Sequence, residues 1–285
     1  MPKLLKVSLR GARVRSLSTK SRFTPTTSSE ISRKAFESLK VQEPTVFKNR
    51  FQDLPAIEKW FKQSANDNGT RELNSSYLEE YGSTIVPLEL TRSEETGPDA
   101  KQRSSFERFE APLSLLISHM TSSDHSSALY LAQCSLDELP ADLRVDLPAP
   151  KLLSHLGRGD IYASSLWMGR PPTRTPLHRD PNPNLFVQLA GRKVVRLMRP
   201  EHGRQLYERR SNGVRAHMRG EEMMAGDELE KLEGAVWNDS KDNQNVTGVE
   251  ATLESGDALL IPLGWWHAVH GIGNGANASV NWWFR

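Results

Sequence analysis

Residues 175–200 read TPLHRDPNPNLFVQLAGRKVVRLMRP, and this stretch decides the fold. It holds two strand candidates, residues 184–189 and 193–198, which are rich in β-branched and other apolar residues and are separated by Gly191. Further short runs of this type, punctuated by Gly and Pro, are residues 128–134, 160–168, 258–262 and 279–284. Many short strands of this kind predict a β-sandwich or barrel core over residues 128–285.

The N-terminal part of the chain carries helical signals instead. A capping-box spacing from Thr27 to Glu30 precedes a helical apolar pattern, and Pro55 opens a second helix. Residues 111–120 predict another helix, residues 84–90 a strand and residues 93–105 a loop. We therefore predict an α+β fold in which residues 28–127 form a helical region packed around the β core. Residues 205–250 are polar and poor in strand signals, and we interpret them as an insert between two core strands.

The composition excludes several classes of protein. The chain of 285 residues has a net charge of +2 and one cysteine, Cys134, which excludes an intrachain disulfide and a cysteine-based zinc site. The chain contains no apolar run of about 18 residues, so no transmembrane segment is predicted. Residues 1–29 hold seven of the 37 basic side chains and no acidic one, which leaves 30 basic against 35 acidic residues. This mildly acidic remainder does not favour binding to nucleic-acid backbones.

Residues 1–27 form a segment of their own by composition. They are rich in Arg, Lys, Ser and Thr and lack acidic side chains. This composition predicts a mitochondrial targeting segment, and the alternatives are a disordered basic tail or a nuclear signal. The expected location is therefore mitochondrial, with the cytoplasm or the nucleus as alternatives. We also expect residues 1 to about 25 to pack against nothing, because they carry like charges.

The first chemical signal is the spacing of His178 and Asp180. On a strand, residues i and i+2 point to the same face, so this imidazole and this carboxylate can converge on one metal ion. Two His and one carboxylate on one side of Fe(II) leave open positions for substrates. By itself a His-x-Asp pair is more often a polar couple on the surface. Residues 255–267, SGDALLIPLGWWH, end in a further candidate ligand, His267.

Together these segments resemble the JmjC-domain family of oxygenases, especially its small cupin-like members that hydroxylate proteins. The family motif is His-x-Asp, then at a distance Gly-Asp-x-Leu-x-Ile-Pro, an aromatic pair and the last His, all of which stand here in order. The resemblance implies a double-stranded β-helix (a cupin or jelly-roll core) with Fe(II) held by His178, Asp180 and His267. It also implies 2-oxoglutarate as cosubstrate and O2 as oxidant. The resemblance runs from about residue 43 to residue 285 and is weakest in the insert.

The resemblance further implies a set of residues around the cosubstrate, which are Thr175, Asn184, Lys193, Asn281 and Tyr130. Lys193 would grip the distal carboxylate of 2-oxoglutarate, with Thr175 and Tyr130 as hydrogen-bond donors. The physics agrees, because a buried unpaired lysine is costly and a bound anion would remove that cost. Without the resemblance, the sequence around Lys193 would favour an exposed residue on the surface of its strand.

The resemblance implies a dioxygenase that couples decarboxylation of 2-oxoglutarate to hydroxylation, and the expected substrate is a protein side chain. The alternatives are a JmjC oxygenase that acts on RNA or methyl-lysine, and a non-catalytic cupin that serves as a binding module. Because the chain stops directly after the last predicted strand, we expect a monomer without C-terminal dimerisation helices. The polar insert is the predicted cover of the metal mouth.

Overall fold

The structure, a computed structural model, describes residues 22–26, 42–65, 70–94, 103–124, 126–210, 227–238 and 245–285. The β-strands of these residues are β1 (Phe23–Pro25), β2 (Thr45–Phe47), β3 (Phe61–Gln63), β4 (Arg71–Leu73), β5 (Ile85–Glu94), β6 (Arg103–Pro112), β7 (Ser127–Ser135), β8 (Ile161–Gly169), β9 (Thr173–Arg179), β10 (Asn184–Ala190), β11 (Arg192–Met198), β12 (Gly248–Leu253), β13 (Ala258–Ile261), β14 (Trp266–Ile272) and β15 (Asn277–Phe284). Their α-helices are α1 (Pro55–Lys59), α2 (Ser75–Leu78), α3 (Leu113–Thr121), α4 (Ala141–Val145), α5 (Pro200–Arg210) and α6 (Asp227–Trp237). The helix predicted after Thr27 lies outside the described residues. None of the described helices has the length and apolarity that a membrane span needs.

The core consists of two sheets that face each other. The smaller sheet has the strand order β1-β12-β11-β14-β9, and the larger has the order β2-β13-β10-β15-β8-β7-β5-β6. From β8 to β15 the chain passes repeatedly between them, so that β8, β10, β13 and β15 lie in the larger sheet and the other four in the smaller. Side chains of both sheets, such as Phe186, Val195 and Leu259, form one buried cluster between them. This arrangement is the predicted double-stranded β-helix in an α+β protein.

The centre of the larger sheet is covered on both faces, which explains the three successive apolar residues from Leu185 to Val187 in β10. Every residue of β10 is buried. Phe186 faces the smaller sheet, whereas Leu185 and Val187 belong to the large cluster that also contains Trp60 of the N-terminal region and Leu116 of α3. A strand that is buried on both faces loses the usual alternation of apolar and polar residues.

The region of residues 28–127 is less helical than predicted. In its described part, strands β2 to β6 alternate with α1, α2 and α3. The predicted loop at residues 93–105 contains the end of β5 and the start of β6, which pair along their whole length. Charged residues hid the strand pattern of β6, and one of them, Arg108, places a guanidinium nitrogen 2.7 Å from the carboxylate of Glu89 across the hairpin. Such cross-strand pairs are contacts that local composition does not reveal.

The insert does not cover the metal mouth in the part that the structure describes. Its described helices, α5 and α6, pack on the outer face of the smaller sheet, where Leu232 and Val236 meet Leu177 and Trp266. Leu177 and Trp266 are sequence neighbours of the candidate metal ligands and point to the opposite face of their strands. The lid interpretation is therefore wrong for these helices. The apolar stripe of α6 within a polar segment is the signal that was missed.

The C-terminal end of the N-terminal segment, residues 22–25, packs against the smaller sheet and α6. β1 pairs in parallel with β12, and Phe23 is 3% exposed. The guanidinium of Arg22 donates hydrogen bonds to the carbonyl oxygens of Val236 and Asn238 at the end of α6. The expectation that residues up to about 25 pack against nothing is therefore wrong from Arg22 onward, because Phe23 adds apolar surface to the cluster beneath α6. Residues 1–21 lie outside the described residues.

Candidate metal and cosubstrate site

Two histidines face each other on neighbouring strands of the smaller sheet. β9 and β14 pair with His178 directly opposite His267, so both imidazoles project from the same face. Asp180 follows directly after β9. Its Oδ1 lies 3.8 Å from Nε2 of His178, and its Oδ2 lies 3.6 Å from Nε2 of His267. One ligand atom from each of the three residues lies within 4.8 Å of the other two, so the three can share one metal ion.

Backbone carbonyl groups orient both imidazole rings. Nδ1 of His178 lies 2.8 Å from the carbonyl oxygen of Pro176, and Nδ1 of His267 lies 3.4 Å from that of Trp265. An Nδ1–H group that donates to a carbonyl oxygen turns the lone pair of Nε2 toward a metal. Two neutral nitrogens and one carboxylate on one side of an ion are the donor set of non-haem Fe(II) oxygenases. The three side chains therefore fit Fe(II).

Two side-chain amides of the larger sheet are linked by hydrogen bonds to each other and to the carboxylate of Asp180. Asn184 donates a hydrogen bond from Nδ2 to Oδ2 of Asp180 at 2.8 Å. Asn281 in turn donates from Nδ2 to Oδ1 of Asn184 at 3.0 Å. Both amides are buried, and Oδ1 of Asn281 accepts no hydrogen bond from the described residues. The larger sheet thus fixes the orientation of the acidic member of the triad.

The ammonium group of Lys193 is buried in the same cavity as the triad. Lys193 is 2% exposed, and its Nζ donates hydrogen bonds to Oγ of Ser279 at 2.6 Å and to the hydroxyl of Tyr130 at 3.3 Å. Thr175 is also buried and lines this cavity. A cation with hydroxyl groups beside it is suited to bind a carboxylate.

The structure brings all the predicted site residues to one cavity. Its lining includes Tyr130, Thr175, His178, Asp180, Asn184, Lys193, His267 and Asn281. The cavity is also lined by Gln133, Trp167, Phe186, Val269 and Trp283, which were not among the predicted site residues. The alternation of β10 and β15 could have identified Phe186 and Trp283, since each follows a predicted site residue by two positions on the same face.

Gln133 reaches the cavity through an irregularity in β7. The register of β7 against β8 shifts between Leu131 and Cys134, so that Ala132 and Gln133 together stand opposite Trp167. The φ angle of Gln133 is 55°, in the left-handed region that non-glycine residues rarely adopt. Bulges of this type are frequent beside active sites, where they re-aim a side chain. No signal in the sequence marks this position.

The fold and the cavity together define a class of protein: a double-stranded β-helix with an oxygenase-type metal site and a buried cation beside it. The comparison with known families agrees, because the cupin-like domain family matches residues 33–285. The chain belongs to the cupin-like domain family.

Several JmjC-domain proteins are similar to this chain. "Lysine-specific demethylase JMJ30" of Arabidopsis thaliana is 26% identical over 240 residues, which cover 84% of this chain and 49% of the plant protein. "Jumonji C domain-containing protein 5" of Drosophila melanogaster is 27% identical over 263 residues, covering 90% of this chain and 57% of the fly protein. "Lysine-specific demethylase 8" of Danio rerio is 30% identical over 167 residues, covering 58% of this chain and 38% of the fish protein.

The chain spans about half the length of the curated relatives it matches. The family and these relatives place it among JmjC-type cupin-like proteins, whose cofactors are Fe(II), 2-oxoglutarate and O2. The ligand atoms of His178, Asp180 and His267 lie close enough together to hold the metal ion that this chemistry uses.

Proposed function

We propose that this chain is an Fe(II)- and 2-oxoglutarate-dependent oxygenase that hydroxylates a side chain of a protein substrate. The observation that carries the proposal is the placement of the triad and of Lys193 in one cavity. A metal site alone fits many enzymes, and a buried lysine alone fits many protein cores. A metal site and a buried lysine in one cavity suit a cosubstrate that chelates a metal ion and carries two negative charges. 2-Oxoglutarate chelates through its keto-acid end and carries a second carboxylate at its other end.

Six polar side chains of the cavity have a role in this proposal. His178, Asp180 and His267 would hold Fe(II). Lys193 neutralises the distal carboxylate of 2-oxoglutarate, and the hydroxyls of Thr175 and Tyr130 can donate hydrogen bonds to it. Bound Fe(II) would activate dioxygen. The protein would orient 2-oxoglutarate and the substrate in a site from which water is excluded.

The reaction balances with dioxygen as the oxidant. One oxygen atom enters succinate as 2-oxoglutarate loses carbon dioxide, and the other enters a substrate C–H bond as a hydroxyl group. The apolar walls of Trp167, Phe186 and Trp283 suit the exclusion of water from this chemistry.

A protein substrate is supported by the relatives and by the cavity. Two of the relatives are named for action on lysine, which is a side chain of proteins. Gln133 offers an amide donor and an amide acceptor at the cavity, and Trp167 and Trp283 offer flat apolar surfaces. Such groups suit the backbone and the side chains of a peptide.

Demethylation of N-methyl-lysine is the second candidate, and the names of the relatives favour it. Both reactions begin with a hydroxyl group inserted into a C–H bond. On an N-methyl group, the hydroxymethyl amine then breaks down to formaldehyde and the free amine. The two candidates therefore differ in the fate of the same first product.

One experiment tests both candidates. The full chain is supplied with Fe(II), 2-oxoglutarate, dioxygen and a panel of synthetic peptides, with and without N-methyl-lysine. A hydroxylase releases succinate and adds one oxygen atom to the peptide mass. A demethylase removes one CH2 unit and releases one formaldehyde per succinate. The Asp180→Ala variant is the inactive control, because it removes the charged metal ligand. Failure of the wild-type protein to bind 2-oxoglutarate in the presence of Fe(II) would refute the proposal.

A further inference from the structure

The side chain of Lys193 crosses from one sheet to the other. Lys193 starts on β11 of the smaller sheet, and its Nζ ends 2.6 Å from Oγ of Ser279 on β15 of the larger sheet. Tyr130, on β7 of the larger sheet, accepts a second and longer hydrogen bond of 3.3 Å from the same atom. Lysine is a flexible four-carbon chain with a point charge at its end, so contacts at that end decide where the charge lies.

Ser279 contacts the ammonium group of Lys193 from the side that faces away from the cavity. Ser279 is 0% exposed and is not among the residues that line the cavity, whereas Lys193, Tyr130 and Thr175 are. A carboxylate in the cavity can therefore meet the ammonium group and the hydroxyls of Tyr130 and Thr175, while Ser279 stays behind the wall.

β15 controls both ends of the lysine. Asn277 donates from its Nδ2 to the carbonyl oxygen of Arg192 at 2.7 Å, which holds the backbone directly before Lys193. Ser279 stands two residues further on the same face of β15 and holds the charged end. Two residues of β15 thus fix the backbone next to Lys193 and the position of its ammonium group.

We propose that Ser279 is a positioning residue for cosubstrate binding: it holds the ammonium group of Lys193 where it binds the distal carboxylate of 2-oxoglutarate. This inference rests on the proposed function. Without the hydroxyl, the buried ammonium group loses a short hydrogen bond and must rearrange before it can bind the carboxylate.

The test measures cosubstrate binding rather than turnover. 2-Oxoglutarate is titrated calorimetrically, without oxygen, into the Fe(II)-loaded full chain and its Ser279→Ala variant. We expect the dissociation constant for 2-oxoglutarate to rise about tenfold, the scale of one hydrogen bond to a charged group. The dissociation constant for Fe(II) stays unchanged. Ser279→Cys, which keeps the volume and a weak acceptor, should be intermediate and serves if the alanine variant does not fold.

A matched control is Ser64→Ala. This variant removes another buried hydroxyl, one that donates to Glu72 at 2.6 Å on the β3–β4 hairpin. Its loss can lower the melting temperature but should leave the affinity for 2-oxoglutarate unchanged. Equal weakening by Ser64→Ala and Ser279→Ala would mean a general loss of packing and would overturn the inference.

A double-mutant cycle separates positioning from a general effect. In the Lys193→Met background, Ser279 has no ammonium group to hold, so Ser279→Ala should cause no further loss of 2-oxoglutarate binding. Independent, additive losses would overturn the inference. If the wild-type chain binds 2-oxoglutarate and neither Ser279 variant binds it more weakly, the inference fails and the proposed function stands. If the wild-type chain does not bind it, both fail.

Discussion

Asn184 donates a hydrogen bond of 2.8 Å to Oδ2 of Asp180, and so joins β10 of the larger sheet to the acidic member of the triad. A carboxylate held by such a partner is oriented before a metal arrives. We predict that Asn184→Ala lowers the affinity for Fe(II) by about 10–100-fold, the usual effect of removing an outer partner of a metal ligand. Anaerobic titration with Fe(II) measures this effect.

The control for Asn184 is Asn74→Ala. Asn74 also donates from its side-chain amide, to the carbonyl oxygen of Lys59, but lies in the N-terminal region. This variant should bind Fe(II) as the wild-type chain does. An Asn184→Ala variant with unchanged Fe(II) affinity would show that Asp180 needs no such support.

The second prediction concerns the charge of Lys193. Lys193→Met keeps most of the side-chain volume but removes the cation, so the distal carboxylate of 2-oxoglutarate loses its charged partner. We expect 2-oxoglutarate to bind roughly 100-fold more weakly, the scale for loss of one partner of a buried charge pair. Fe(II) affinity should not change. Arg192→Gln removes an exposed cation one residue earlier on the same strand and should change neither affinity.

Part of the metal site was predictable from local spacing, because Asp180 stands two residues after His178 at the end of β9. Thr175, His178 and Asp180 follow one another along β9 and the residue after it, and Asn184 begins the next strand. Alternation brings His178 and Asp180, which are two residues apart, to one face without knowledge of the tertiary structure. Thr175, three residues before His178, lines the same cavity because the register of β9 against β14 shifts between them. Family resemblance then supplied the distant His267, and the structure places it directly opposite His178.

The features that were missed depend on contacts between distant segments. β6 is a strand because β5 pairs with it, although its charged residues resemble those of a loop. Phe23 is buried because β12 and α6 meet over it, some two hundred residues further along the chain. The bulge at Gln133 arises from the register between β7 and β8. In each case the local residues allow several structures, and packing selects one.

The third prediction tests whether the backbone at Gln133 is strained. With φ at 55°, glycine can occupy this position without the steric cost that a side chain brings. We predict that Gln133→Gly raises the free energy of unfolding by about 0.5–1 kcal/mol, as measured by urea denaturation. Gln63→Gly is the control, since Gln63 is a strand residue in β3 without a positive φ and should lose stability instead. A destabilised Gln133→Gly would show that the side chain supports the fold rather than the cavity.

The fourth prediction concerns Asp146, which is fully buried. Its carboxylate accepts hydrogen bonds from Lys59, Trp60 and Tyr77 at 2.6, 2.9 and 2.6 Å. Burial by itself raises the pKa of Asp146, but these hydrogen bonds outweigh it and hold the pKa below its usual value. Because the folded-state pKa is lowered, the stabilisation is present above the unfolded-state value of about 4 and is lost as the pH falls through the folded-state value.

Asp146→Asn should therefore lower the free energy of unfolding by about 2–3 kcal/mol at neutral pH. The difference from the wild-type chain should shrink as the pH falls below about 4. Urea denaturation over a pH series measures it, and Asp142→Asn on the surface of α4 is the control. A difference that stays constant down to acidic pH would contradict an ionised Asp146.

The fifth prediction sets the boundary of the N-terminal segment. Its composition predicts a mitochondrial targeting segment, and Arg22 and Phe23 already belong to the fold through α6 and β12. We therefore propose that residues 1–21 suffice to direct a fused reporter to mitochondria. The mature chain, analysed by mass spectrometry, should begin at or before Arg22. A reporter in the cytosol or the nucleus would refute the targeting proposal and leave the oxygenase proposal untouched.

Two truncations test the boundary by stability. A chain without residues 1–21 keeps Arg22 and Phe23 and should unfold at the same urea concentration as the full chain. A chain without residues 1–26 loses the phenylalanine that is 3% exposed beneath α6. It also loses the guanidinium that bonds carbonyl oxygens at the end of that helix. The free energy of unfolding should fall by about 3–5 kcal/mol, the scale for loss of a buried phenylalanine. Equal stability of the two truncated chains would mean that β1 contributes nothing to the fold, and a mature chain could then begin beyond it.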